Sequence, residues 1–164
     1  MLLAGAILGL VTLQRLGELV LSRRNTERLL AQGAREAAPG HYPLIVALHA
    51  AWLVGLWYLA VWHPGVGVAW GWLAVFVVLQ GLRVWVLATL GPRWTTRIIV
   101  LPGAPLVREG PYRFVSHPNY CIVAAEILVL PLCFGLVWYG IIFSVLNALV
   151  LWVRIRAEEA ALRQ

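Results

Sequence analysis

Residues 43–62, PLIVALHAAWLVGLWYLAVW, run for twenty positions without a charged side chain. At about 1.5 Å of rise per residue, such a run makes a helix about 30 Å long, which matches the hydrocarbon core of a bilayer. Four other runs approach this pattern. Residues 2–21 are interrupted by Gln14, Arg15 and Glu18, and residues 68–90 contain Gln80 and Arg83. Residues 120–134 form a short run holding Pro131 and Glu126, and residues 137–153 lead into a charged tail. The chain is 62% hydrophobic and only 12% charged, so the expected fold is a single all-α integral membrane domain over 1–164 with about five transmembrane helices. The first run lacks the basic start and small-residue cleavage pattern of a signal peptide, and is expected to be a retained helix.

Arginine placement orients the chain. Arg23, Arg24, Arg28 and Arg35 follow the first run; Arg93, Arg97, Arg108 and Arg113 lie between the third and fourth; Arg154, Arg156 and Arg163 follow the fifth. The other two connections, around residues 63–67 and 135, have none. Five spans with the amino terminus outside place every arginine-bearing segment in the cytoplasm, as the positive-inside tendency requires. The formal net charge is +6, but the arginines form no stripe interleaved with aromatics. Membrane lipids, with their anionic headgroups, are therefore the expected partner of this charge, and no nucleic acid is expected. Arg15, Glu18, Arg83 and Glu126 fall inside spans, where lone charges are costly. They are expected to face the bundle interior, paired with one another or lining a cavity.

Cys121 and Cys133 are twelve residues apart on one expected helix, about 18 Å, which is too far for a disulfide. No CxxC, HExxH or phosphate-cradling glycine loop occurs, so no metal site is expected. The longest stretch between spans, residues 91–119, mixes turn signals with a short β-branched stretch, and a loop of this length in so small a chain is a candidate site. The tail RIRAEEAALR, from residue 154, emerges on the same face. There Arg154 and Glu158, and Arg156 and Glu159, are spaced to pair along a helix. Together the loop and the tail would form a cytoplasmic pocket open sideways to lipid.

The segments GLRVWVLATLG (81–91), LV (106–107), GPYRFVSHPNY (110–120) and RIRAEE (154–159) resemble, in order and spacing, the isoprenylcysteine carboxyl methyltransferase family. These are integral membrane enzymes that use S-adenosylmethionine. HYPLIVALH (41–49) is similar to a bacterial branch that methylates lipid-like phenols or pyrones made by type III polyketide synthases. In one departure, Ser116 stands where the family usually has Arg before the HP pair.

The resemblance implies an O-methyltransferase in a bacterial inner membrane, with its active site facing the cytoplasm and its motifs in the half covering 81–159. The implied cofactor residues are Leu106 and Val107 as a strand, Tyr112, His117, Pro118, Asn119, Tyr120, Glu158 and Glu159. Arg154 would hold the acceptor oxygen, and Arg83 is a further candidate for the acceptor's headgroup. His117 or a tail glutamate is the candidate base, unless His117 only shapes the pocket. The acceptor would be a lipophilic small molecule entering from the bilayer, methylated on a carboxylate, phenol or enol oxygen. Two alternatives are a membrane NADPH-dependent reductase of the sterol-reductase type and a non-catalytic membrane scaffold.

Overall fold

The computed structural model describes residues 2–62 and 67–162; residues 63–66 of the expected outer loop and Arg163 of the tail lie outside this description. The main elements are α1 (Leu2–Ala31), β1 (Arg35–Glu36), α2 (Tyr42–Trp62), α3 (Trp70–Leu90), β2 (Ile99–Val100), α4 (Pro118–Leu132) and α5 (Val137–Leu162). Short 3-10 turns at Pro39–His41, Gly91–Arg93 and Gly110–Arg113 punctuate the connections. Four helices are long and apolar enough to cross a membrane, and α4 is a shorter apolar fifth.

Two helices outrun their apolar stretches. α1 continues to Ala31 and α5 to Leu162 because the charged residues beyond residues 21 and 153 are still good helix formers. Those extra turns project past the hydrocarbon. α4 is bounded more tightly, opening on Pro118, whose fixed φ suits a first helical position, and ending just past Pro131. Gly135 (φ +71°) turns the chain back, and the Leu136 amide bonds the Pro131 carbonyl at 3.0 Å.

The helix core is built from one stripe per helix: Ala4, Leu8 and Val11 of α1, Trp52, Leu56 and Ala60 of α2, Phe76 of α3, and Ile127 and Leu130 of α4. Trp52 also donates its indole N–H to the Ile127 carbonyl at 3.2 Å. Leu10, Leu13, Val54, Val77 and Leu149 point outward and are exposed, as lipid-facing residues are. Trp62, Trp70 and Trp138 stand exposed at the end of α2 and the starts of α3 and α5, an aromatic girdle at one interface.

The arginine-bearing segments gather on the opposite face. β1 pairs antiparallel with β2, Arg35 opposite Val100 and Glu36 opposite Ile99. Arg97 bonds Glu36 at 2.8 Å and lies 4.5 Å over the Tyr42 ring, while Arg154 Nη2 donates to the Thr96 carbonyl at 2.7 Å. Residues 35–36, the 91–117 connection and the α5 tail therefore meet, as the charge distribution predicts.

α4 is too short to end level with its neighbour. Its far end is tied to the start of α3 by a 2.8 Å bond from the Ala69 amide to the Cys133 carbonyl. Counted from that shared level, the 15 residues of α4 fall six short of the 21 of α3, or about 9 Å of helix rise. The His117 end of α4 is thus recessed below the arginine-side end of α3.

Between the helices lies a polar interior. Glu126 accepts from Arg83 Nε at 2.9 Å and from Arg83 Nη2, from Arg15 Nη2 at 2.7 Å and from Gln80 at 2.7 Å. Glu18 accepts from Arg83 Nη1 at 3.1 Å, Arg15 Nη1 at 2.9 Å and Gln14 at 3.0 Å. Two cations and two anions cancel, so the charges found inside the spans pair with one another across α1, α3 and α4.

Candidate functional site

The recessed start of α4 brings His117 and Tyr120 to the α5 tail. His117 caps the helix without a side-chain bond, and its carbonyl takes the Tyr120 and Cys121 amides at 3.1 and 3.3 Å. That turn aims His117 and Tyr120 the same way, their rings stacked with centroids 5.3 Å apart and planes 18° apart.

The Tyr120 hydroxyl is the hinge of the site. It donates to Glu158 Oε2 and accepts from Arg154 Nε at 2.8 Å. Arg154 is buried and lies 5.4 Å over the Tyr120 ring. Its Nη2 is held by Thr96, and its Nη1 carries no bond to the described residues. Thr96 is fixed in turn by Ser22, whose hydroxyl lies 2.8 Å from both the Thr96 hydroxyl and its amide, and by the Tyr42 hydroxyl at 3.1 Å. His117 Nδ1 lies 3.7 Å from Glu158 and Nε2 lies 3.9 Å from Glu159.

Tyr112 closes the site from the Gly110–Arg113 turn. Burial, and then the nearby Glu158 carboxylate, push its phenol up to about 12, so it stays protonated across the physiological range. The turn depends on Gly110. Its φ is +53°, and a Cβ there would sit 2.5 Å from Thr89 Oγ1 and 3.2 Å from Trp85 Nε1 on α3. Gly110→Ala is accordingly expected to cost about 1–3 kcal/mol in backbone strain, beyond the clash, and to displace Tyr112. Thermal unfolding of the purified variant checks this, and adding Thr89→Ala should recover only the clash.

Of the residues singled out in the sequence, Tyr112, His117, Pro118, Asn119, Tyr120, Arg154, Glu158 and Glu159 lie on the elements that meet here. Leu106 and Val107 make none of the bonds that tie this cluster together, and the structure corrects the expected strand: residues 106–107 are irregular chain, while the strand is Ile99–Val100. They line an open groove of about 490 Å³ with Arg28, Gln32, Arg93 and Arg108, which neither His117, Tyr120, Arg154 nor Glu158 lines. Arg83 is in the bundle interior, its guanidinium bonded to Glu18 and Glu126.

The tail pairings also differ from the spacing. Arg154 turns to Tyr120 and Thr96, and Arg156 stacks 4.2 Å over Trp152. Tyr120 thus stands between Arg154 and Glu158. No motif marks Thr96, Ser22 and Tyr42, because their role rests on contacts with residues far away in the chain.

A helical membrane bundle with a tyrosine, histidine, arginine and glutamate site recessed at one interface defines a class, and the comparisons name it. The sequence profile of the isoprenylcysteine carboxyl methyltransferase (ICMT) family matches residues 72–164. A Bacillus subtilis (strain 168) protein, "Uncharacterized protein YpbQ", is 37% identical over 161 residues, covering 96% of this chain and 95% of its own. An uncharacterized Haemophilus influenzae protein is 29% identical over 91 residues, 55% of this chain and 53% of its own. No solved structure matches. The chain belongs to the isoprenylcysteine carboxyl methyltransferase family, whose members are integral membrane methyltransferases that generally use S-adenosylmethionine.

Proposed function

We propose that this chain is an S-adenosylmethionine-dependent O-methyltransferase acting on a lipophilic phenol or enolic pyrone of the type III polyketide kind, at the cytoplasmic face of a bacterial inner membrane. The observation that carries the reading is the Glu158–Tyr120–Arg154 array at the recessed end of α4, where a polar site lies below the level of its neighbouring helix.

The side chains present fit the cofactor. Glu158 and Glu159 offer carboxylates to a cation, and both retain exposed surface. Tyr112 and the stacked His117–Tyr120 pair offer aromatic faces to an adenine. Asn119 has a buried Oδ1 with no partner among the described residues, an acceptor open to an ammonium or hydroxyl. When bound, adenosylmethionine supplies an electrophilic methyl group.

The protein's own work is then to hold and align. Arg154, fixed by Thr96 and Tyr120, directs its free Nη1 toward an acceptor oxygen and favours its anionic form. A carboxylate acceptor needs no base, whereas a phenol or enol must lose a proton, and His117, facing the site, is a candidate to take it. The family match favours methyl transfer over nicotinamide reduction. Binding of labelled adenosylmethionine and of NADPH to the purified protein in nanodiscs tests the proposal; affinity for NADPH alone would overturn it.

His117→Asn separates two roles. The stacking on Tyr120 and the long contacts to the carboxylates support a pocket-shaping role, so the Michaelis constant for adenosylmethionine should rise several-fold while the pH profile of turnover keeps its shape. Loss of an acidic limb in the variant, with the acceptor's own ionisation measured separately, would make His117 the base.

Topology is checked by reporter fusions. Those after Glu36 and Gly103 should report cytoplasm, and one at Gly135 should report the outside. An external signal at Gly103 would separate the site from the cytosolic cofactor.

A further inference from the structure

Asn147 on α5 is 1% exposed, and neither atom of its amide has a hydrogen-bond partner among the described residues. Ser144, one turn away on the same helix, has a buried hydroxyl in the same condition. Lipid cannot satisfy such groups, so leaving them unpaired in the membrane is costly. The bundle avoids that cost at Gln14, Arg15, Glu18, Gln80, Arg83 and Glu126, all of which are bonded to one another.

The position of Asn147 suggests what pairs with it. Gly140, Asn147 and Arg154 are buried at seven-residue intervals, which places them on one stripe of α5. Both ends of that stripe touch α4. A Cβ at Gly140 would lie 3.2 Å from the Leu128 carbonyl, and Arg154 bonds Tyr120. Asn147 therefore faces α4 between them, about 10 Å along the helix from Arg154 on the membrane side. Asn147 and Arg154, on one stripe and each with bonding capacity left over among the described residues, can therefore address the same acceptor.

We infer that Asn147, backed by Ser144, reads a second oxygen on the acceptor ring while Arg154 holds the oxygen that is methylated. This inference rests on the reading of the acceptor as a lipophilic phenol or pyrone. An amide both donates and accepts, so Asn147 can take either a hydroxyl or a ring carbonyl. An acceptor with one oxygen leaves it unpaired, and sites built to hydrogen-bond a substrate group discriminate strongly against analogues that lack it. The acceptor class is thereby narrowed to rings that carry, besides the methylated oxygen, a second hydroxyl or carbonyl.

The test compares 5-pentadecylresorcinol with 3-pentadecylphenol, which has one oxygen fewer, in nanodiscs. Two readouts are taken: methyl transfer from labelled adenosylmethionine, and the rise in unfolding temperature that each probe causes without cofactor. Wild type should favour the resorcinol by about tenfold or more in kcat/KM. Asn147→Leu should erase that preference through KM, keep adenosylmethionine affinity, and unfold no earlier than wild type, since it removes an unpaired polar group. Ser144→Ala should reduce the preference in part.

Equal preference in wild type and Asn147→Leu overturns the role of Asn147 and leaves the acceptor class standing. Earlier unfolding of Asn147→Leu without probe would mean that the amide has a structural partner, and also overturns it. A wild type that neither methylates nor is stabilised by either probe overturns the acceptor class and this role together, while adenosylmethionine binding still reports on the methyltransferase reading.

Discussion

Glu126→Gln should unfold at a temperature lower than wild type by on the order of 10 °C. Glu126 is fully buried and accepts from Arg15, Gln80 and Arg83, tying α1 and α3 to α4. Glutamine keeps the shape but leaves two arginines facing Glu18 alone, one uncompensated positive charge inside the membrane. Removing one partner of a buried ion pair typically costs about 3–5 kcal/mol, and for a chain of this length each kcal/mol moves the midpoint by about 2–4 °C. Arg83→Met with Glu126→Met restores neutrality and should be milder than the sum of the single changes, because buried pairs can be replaced by apolar residues at little cost. Activity of that double variant bears on Arg83: if it refolds to wild-type stability but loses affinity for the acceptor, Arg83 contacts the headgroup as well as the carboxylates. A Glu126→Gln protein that melts within about 2 °C of wild type would show that the network does not hold the bundle.

The existence of that network was legible because each of its members breaks an apolar run, and lipid leaves such residues nowhere to go but toward each other. The spans and the shared face of the arginine loops were legible for the same reason: hydropathy and charge are properties of short windows. Helix ends were less so. Apolarity stops at residues 21 and 153, whereas the backbone bonds that define a helix continue to Ala31 and Leu162.

What the sequence hid is long-range pairing. Arg154 lies four residues from Glu158, a spacing that suggests an ion pair, yet its Nε bonds Tyr120 and its Nη2 bonds the Thr96 carbonyl, 34 and 58 residues away. Burial explains the choice. A tyrosine hydroxyl with a donor on one side and a carboxylate on the other is satisfied twice, and a backbone carbonyl in the connection needs a donor of its own. Asn147 was silent because one amide barely interrupts an apolar run, and its significance appears only when its missing partners are seen. Leu106 and Val107 carry a motif, but the irregular backbone around them opens onto a groove apart from His117.

Glu158→Gln should weaken adenosylmethionine binding by about 10- to 100-fold, the equivalent of a lost charge-assisted bond of about 1.5–3 kcal/mol. The carboxylate accepts from Tyr120, stands 3.7 Å from His117 Nδ1 and keeps a quarter of its surface open, which leaves capacity for a cationic ligand. Glutamine occupies the same volume, and Tyr120 can still donate to its amide oxygen, so the fold should survive and the loss should be specific to a positively charged ligand. S-adenosylhomocysteine lacks the sulfonium charge and should lose less affinity than the cofactor, a difference that separates charge from shape. Arg154→Ala supplies the contrast. It removes the group assigned to the acceptor oxygen, so turnover should fall while adenosylmethionine affinity stays within a few-fold of wild type. Calorimetry on the three proteins decides the matter, and unchanged cofactor affinity in Glu158→Gln would move the cofactor away from the α5 tail, toward the groove that holds Leu106 and Val107.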